Sequence, residues 1–179
     1  MQYRFIHYWQ YELSAADDEI LDEAVQLVNK PRTNDFLMEA AQFITRHTNA
    51  EFITIGLLSE NKKQINTCIF LREGEKQKNF IYKLKDTPCD TVLSEKFCYF
   101  PTNVADSFPK DHELQHLQIE SYLGSLFLKE NNEVLGLIAL MSKNTIQNAA
   151  FVEHLILVLS QAIEEELLKI ADKNDKNEC

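Results

Sequence analysis

The chain has 179 residues, 45% of them apolar and 26% charged, with a formal net charge of -10. That balance suits one soluble globular domain with room for flanking helices, and excludes a disordered chain. With only 4 glycines and 4 prolines, collagen-like, linker-like and Gly-rich phosphate-cradling readings fall away, and the acid excess disfavours nucleic acid and anionic membranes.

Residues 1–12 are rich in aromatics (Tyr3, Phe5, Tyr8, Trp9, Tyr11), too polar for a membrane anchor and expected to pack on the domain or a partner. Ser14 opens a helix whose first turns carry Asp17, Asp18 and Glu19, where acids suit the exposed amides. Leu13, Ile20, Ala24, Leu27 and Val28 form its apolar stripe, and Pro31 ends it. A second helix is predicted from Thr33, burying Phe36, Leu37, Ala40, Ala41, Phe43 and Ile44. The pattern then turns to strands over 52–58, 65–71 and 80–84, separated by polar turns at 59–63 and 73–75.

Between Lys85 and Ser121 the pattern is irregular. A short helix is expected after Thr87-Pro88, since proline at an early helical position has no amide to satisfy. Phe97–Phe100 reads as a short extended piece, and 110–118 as a second short helix. The apolar runs 122–128 and 134–141, joined by Glu130-Asn131-Asn132-Glu133, predict an antiparallel pair covered on both faces. Residues 148–171 form the last helix, with Val152, Leu155, Leu159, Ala162, Ile163, Leu167 and Ile170 at threes and fours, and 172–179 reads as a frayed polar tail.

This order predicts an α+β fold: a central antiparallel β-sheet of five to six strands, terminal helices on one face and the irregular excursion on the other. A small-molecule pocket belongs between sheet and excursion. No apolar run is long enough to span a bilayer, and Met1–His7 lacks a secretory leader's apolar core, so a cytoplasmic chain without membrane insertion is expected. Cys68, Cys89, Cys98 and Cys179 match no compact disulfide framework and read as free thiols.

Three blocks carry a family resemblance: Thr87–Leu93, Tyr99–Pro109, and the hairpin formed by Glu120–Phe127 and Glu133–Leu140. Their order and spacing resemble a GAF domain of bacterial signalling proteins, of the type found in sensor kinases and cyclic-dinucleotide enzymes, and the element order extends the likeness over 33–171. The resemblance implies the profilin-like sheet and a cavity, and a regulatory or dimerising role passed to a downstream signalling module. Residues 1–32 would then be an aromatic segment and helix ahead of the sensory domain. The bilin-binding type carries a Cys-His pair, and no cysteine here is followed by histidine. The cyclic-nucleotide signature is present only in fragments near Lys143-Asn144 and Phe151. Free methionine sulfoxide reductases use three cysteines; Cys89 and Cys98 stand for two, while Lys110-Asp111-His112-Glu113 occupies the place of the third.

The candidate pocket residues are Phe70, Phe80, Tyr99 and Tyr122 as walls, with Cys89, Asp90, His112 and His116 as polar contacts. Each has a plainer alternative, the aromatics as cavity filling and the histidines as surface residues. His112 and His116 fall one helical turn apart, and with Cys89 and Cys98 make a soft ligand set, but the two-residue cysteine spacing of structural zinc sites is missing, so no metal or cofactor is expected. Ser121 and Ser125 are the hydroxyls available for nucleophilic work, and neither sits in a Gly-x-Ser-x-Gly elbow. Gly124 and Gly136 in the strands mark a bulge or close approach, or room for a ligand.

The chain therefore reads as a non-catalytic sensory domain. It binds a small molecule or partner between the sheet and residues 86–121 and signals through its terminal helices as a homodimer. The alternatives are a small thiol-dependent redox enzyme and a ligand-free dimerisation module.

Overall fold

The computed structural model describes residues 13–177. In chain order they form α1 (Ala15–Asn29), α2 (Phe36–His47), β1 (Phe52–Leu58), β2 (Gln64–Arg72), β3 (Glu75–Lys76), β4 (Ile81–Lys83), α3 (Pro88–Glu95), β5 (Phe97–Phe100), α4 (Val104–Ser107), α5 (His112–His116), β6 (Ser121–Leu128), β7 (Val134–Ser142) and α6 (Ala149–Asn177). The aromatic segment 1–12 and Cys179 lie outside the described residues.

The helices begin where local chemistry provides for their free amides. Ser14 caps α1 through a reciprocal box, its Oγ accepting from the Asp17 amide at 3.2 Å while Asp17 Oδ2 accepts from the Ser14 amide at 3.0 Å. Pro88 occupies the first turn of α3, as the sequence predicts. Two helix boundaries differ most. α2 starts at Phe36 rather than Thr33, whose Oγ1 instead accepts from the Asp35 amide and donates to Glu39 in the turn before the helix. α6 runs on to Asn177, past the polar tail expected from Asp172, because extending an already nucleated helix gains one hydrogen bond for each residue fixed, which here outweighs the modest helical propensity of Asp and Asn.

The sheet is antiparallel throughout, in the order β3-β2-β1-β7-β6-β5, with β4 also paired to β2. The expected hairpin of β6 and β7 is present, and β7 also pairs with β1, so these central strands are flanked on both sides. Period-two alternation divides their side chains. Ile53 and Ile55 of β1, with Ile138 and Leu140 of β7, join α2 and α6 in one core cluster. Phe52, Leu137, Ala139 and Tyr122 join the excursion in a second. Each fully buried Ile or Leu in these layers contributes about 1.5–3 kcal/mol by leaving water.

Two glycines mark where the strands crowd. β2 carries one extra residue, Cys68, where the pairing steps from Ile55–Ile69 to Gly56–Thr67. Beside that bulge a Cβ on Gly136 would collide with the Gly56 carbonyl oxygen. A Cβ on Gly124 would come within 2.5 Å of Val92 Cγ2 in α3. Both strand glycines thus serve close approach rather than open room for a ligand.

Candidate functional site

The excursion does not close completely on the sheet. Between them lies a cleft of about 690 Å³, the size range of small-molecule sites. Its floor is the excursion-facing side of the central strands: Phe52 and Thr54 from β1, Ala139 and Met141 from β7, and Tyr122 from β6. One bank is the 77–85 segment around β4, the other the residues from Lys110 to Leu117 around α5, with Thr87, Pro88 and Cys89 at the end between them.

Aromatic rings line this space in sequence. Phe70 and Phe80 meet edge to face at 5.2 Å, and Phe80 lies 5.7 Å from Tyr82. Cys89 joins Tyr82 to Tyr122: its Sγ is 3.2 Å from Tyr82 Oη and 3.1 Å from Tyr122 Oη, and either partner of each pair can donate. Burial pushes all three groups up, the Cys89 thiol above its ordinary value and both phenols well above theirs. At neutral pH this cluster is uncharged, with Thr54 beside Tyr82 and Thr87 beside Cys89 as further hydrogen-bond partners.

Burial likewise pushes the Cys98 thiol far above its ordinary range, and Cys68 to about 11. A protonated, enclosed thiol is a poor nucleophile, so the thiol-dependent redox alternative gains nothing from this geometry. Ser121 is equally committed to structure: its buried hydroxyl donates to the Phe100 carbonyl at 3.0 Å and accepts from the Ile146 amide at 3.1 Å. Among the described residues, no group of three or more His, Cys, Asp or Glu is placed to hold a metal ion.

Of the eight residues singled out in the sequence, Phe70, Phe80, Cys89, His112 and Tyr122 line the cleft. Tyr99 is on the other face of the sheet, where its hydroxyl donates to the Ile146 carbonyl at 2.7 Å. In β5, Cys98 and Phe100 turn towards the excursion, and alternation sends Tyr99 the opposite way. Asp90 is exposed in the first turn of α3, and His116 is exposed on α5, neither of them in the cleft wall.

The sequence reading missed Thr54, Tyr82 and Met141, and four cations at the rim: Arg72, Lys83, Lys85 and Lys110. For Tyr82 the signal was present, since Phe80 and Tyr82 alternate along one strand. For the cations it was not, because they come from β2, β4, the turn after β4 and the approach to α5, which only the folded chain brings together. The α5 bank adds Asp111, whose carboxyl is raised by burial against the opposing hydrogen bonds from the Leu114 and Glu113 amides.

No protein-family model matches the sequence, and no curated protein matches it. Solved structures do match in shape. The GAF domain of an Acinetobacter phosphoenolpyruvate-protein phosphotransferase superposes with a TM-score of 0.66 at 15% identity, over 91% of this chain and 99% of that one. A bacteriophytochrome from R. palustris gives a TM-score of 0.67 at 10% identity over 92% of this chain, which spans 40% of that protein. The A. aeolicus nlh2 GAF domain, in an inactive state, gives 0.60 at 12% identity over 87% of this chain and 96% of that one.

Proposed function

We propose that this GAF-like fold is a non-catalytic sensory domain. It takes a small molecule into the cleft between the sheet and residues 86–121, and passes the occupancy on through its terminal helices in a homodimer. The sensory unit is the 33–171 portion, with 1–32 and 172–179 as its extensions. The cleft carries this reading: about 690 Å³ of largely apolar, aromatic-walled space with an uncharged floor suits ligand uptake rather than chemistry. The ligand contacts are Phe70, Phe80, Cys89, His112 and Tyr122, joined by Tyr82 and Met141. The matched solved structures are named for GAF domains and for bacteriophytochromes with a chromophore-binding domain, which supports a ligand-holding role for this architecture without naming the ligand.

The test is a fluorescence titration with the uncharged probe N-phenyl-1-naphthylamine. Met141 is half-buried at the cleft wall, so Met141→Trp fills space without opening the core. Saturable binding to the full chain, weakened about tenfold by Met141→Trp at an unchanged melting temperature, is the expected result. Failure of the wild-type chain to bind, or an affinity indifferent to the substitution, overturns the reading.

A further inference from the structure

The charge around the cleft runs against the charge of the molecule. The chain has ten more formal negative than positive charges, yet four cations line this opening (Arg72, Lys83, Lys85, Lys110) against two carboxylates, Asp111 and Glu113. Lys110 is already paired with Asp86, at 3.4 Å, and Asp111 is occupied as the cap of α5, accepting from the Leu114 amide. Arg72 stacks its guanidinium 5.7 Å over the Phe52 ring at the edge of the floor. Lys83 and Lys85 are exposed, and among the described residues neither has a carboxylate partner. An acidic chain that leaves two unpaired lysines beside an aromatic slot raises the local concentration of anions there.

We propose that the cleft selects aromatic organic anions: a flat apolar body lies on the floor of Phe52 and Tyr122, against the Tyr82 ring of the bank, and its carboxylate, sulfonate or phosphate is held at the rim by Lys83 and Lys85. This deepens the sensory reading and rests on the cleft being a ligand site. The two halves of the ligand answer to different parts of the wall. The rings supply burial of the body, and the ammonium groups supply orientation and discrimination against neutral or cationic molecules of the same shape. Because the lysines are exposed, the anionic group stays at the mouth, where it keeps part of its hydration and avoids the cost of a buried charge.

The test pairs two probes with the same fused-ring body, 8-anilinonaphthalene-1-sulfonate and the uncharged N-phenyl-1-naphthylamine, titrated into the full chain at low and at physiological salt. The expected result is that the sulfonate binds about five- to tenfold more tightly than its neutral counterpart at low salt, that salt narrows this gap, and that the two displace one another. In Lys83→Gln/Lys85→Gln the advantage disappears while the neutral probe binds as before. If the neutral probe binds and the sulfonate gains nothing, or keeps its advantage in the double variant, the anion proposal is overturned and the cleft as a ligand site survives. If neither probe binds, both readings fall together.

Discussion

Cys68 is the extra residue where β2 bulges past Gly56, and burial there pushes its thiol from 9.0 to about 11. Cys89, between two phenols, is pushed up in the same direction. The sign follows from linkage: the unfolded thiol ionises near 9 while the folded one stays protonated. The stability these groups carry is thus fully present below pH 9 and is lost as pH rises through the folded values. Between pH 8 and pH 11 the wild-type chain should lose about 2 kcal/mol more than Cys68→Ala, as measured by urea denaturation; equal slopes for the two would show that the thiol is not desolvated. Residue type alone separated these cysteines poorly. Cys68, Cys89 and Cys98 all stand in or beside apolar runs, and what distinguishes Cys89 is the pair of hydroxyls delivered from β4 and β6, 7 and 33 residues away in sequence. Sequence reasoning reached Phe70, Phe80 and Tyr122 because bulky aromatics in or beside strands face one core or the other, and Cys89 and His112 because the irregular stretch forms the facing wall. It had no means of choosing the face of a four-residue strand such as β5, and so Tyr99 fell on the helix side.

At the level of elements, long periodic stretches were legible and short ones were not. α6, α2, β6 and β7 follow from the spacing of their apolar residues. The two-residue β3 and the four-residue α4 follow from tertiary pairing instead, the first against β2 and the second through the Val104 amide donating to the Glu120 carbonyl at 3.1 Å. The central pairing of β1 with β7 joins residues 79 to 89 positions apart, which turn signals cannot report. It has its own vulnerable point. Gly136 faces the Gly56 carbonyl, a backbone atom that cannot rotate away, whereas Gly124 faces the side chain of Val92 and the ring of Tyr122. Gly136→Ala should therefore destabilise the chain by about 2–4 kcal/mol, and Gly124→Ala by about 1–3 kcal/mol. Thermal melts of the two variants check the order, and a Gly136→Ala protein as stable as wild type would contradict the close approach.

Across the whole molecule, the helix layer is unevenly covered. α6 buries Leu155, Leu159, Ile163 and Leu167 against the sheet and α2, but α1 fully buries only Ala24 among its apolar residues, and leaves Ile20, Leu21, Leu27 and Val28 partly covered. Val25 is 43% exposed on α1, and Leu157 46% exposed on α6. A second copy packing on this layer would cover that surface, and sedimentation should show a dimer that Val25→Glu/Leu157→Glu converts to monomer. A wild-type monomer at every concentration would leave the helices without the transmitting role proposed for them. The cleft on the opposite face also has a thermal consequence. At about 30 Å³ per molecule, roughly two dozen waters fit in its 690 Å³, most of them against rings and methyl groups that offer few hydrogen bonds. An occupant returns that water to the bulk, so uptake should carry a negative heat-capacity change, and the preferred occupancy of the domain should shift with temperature.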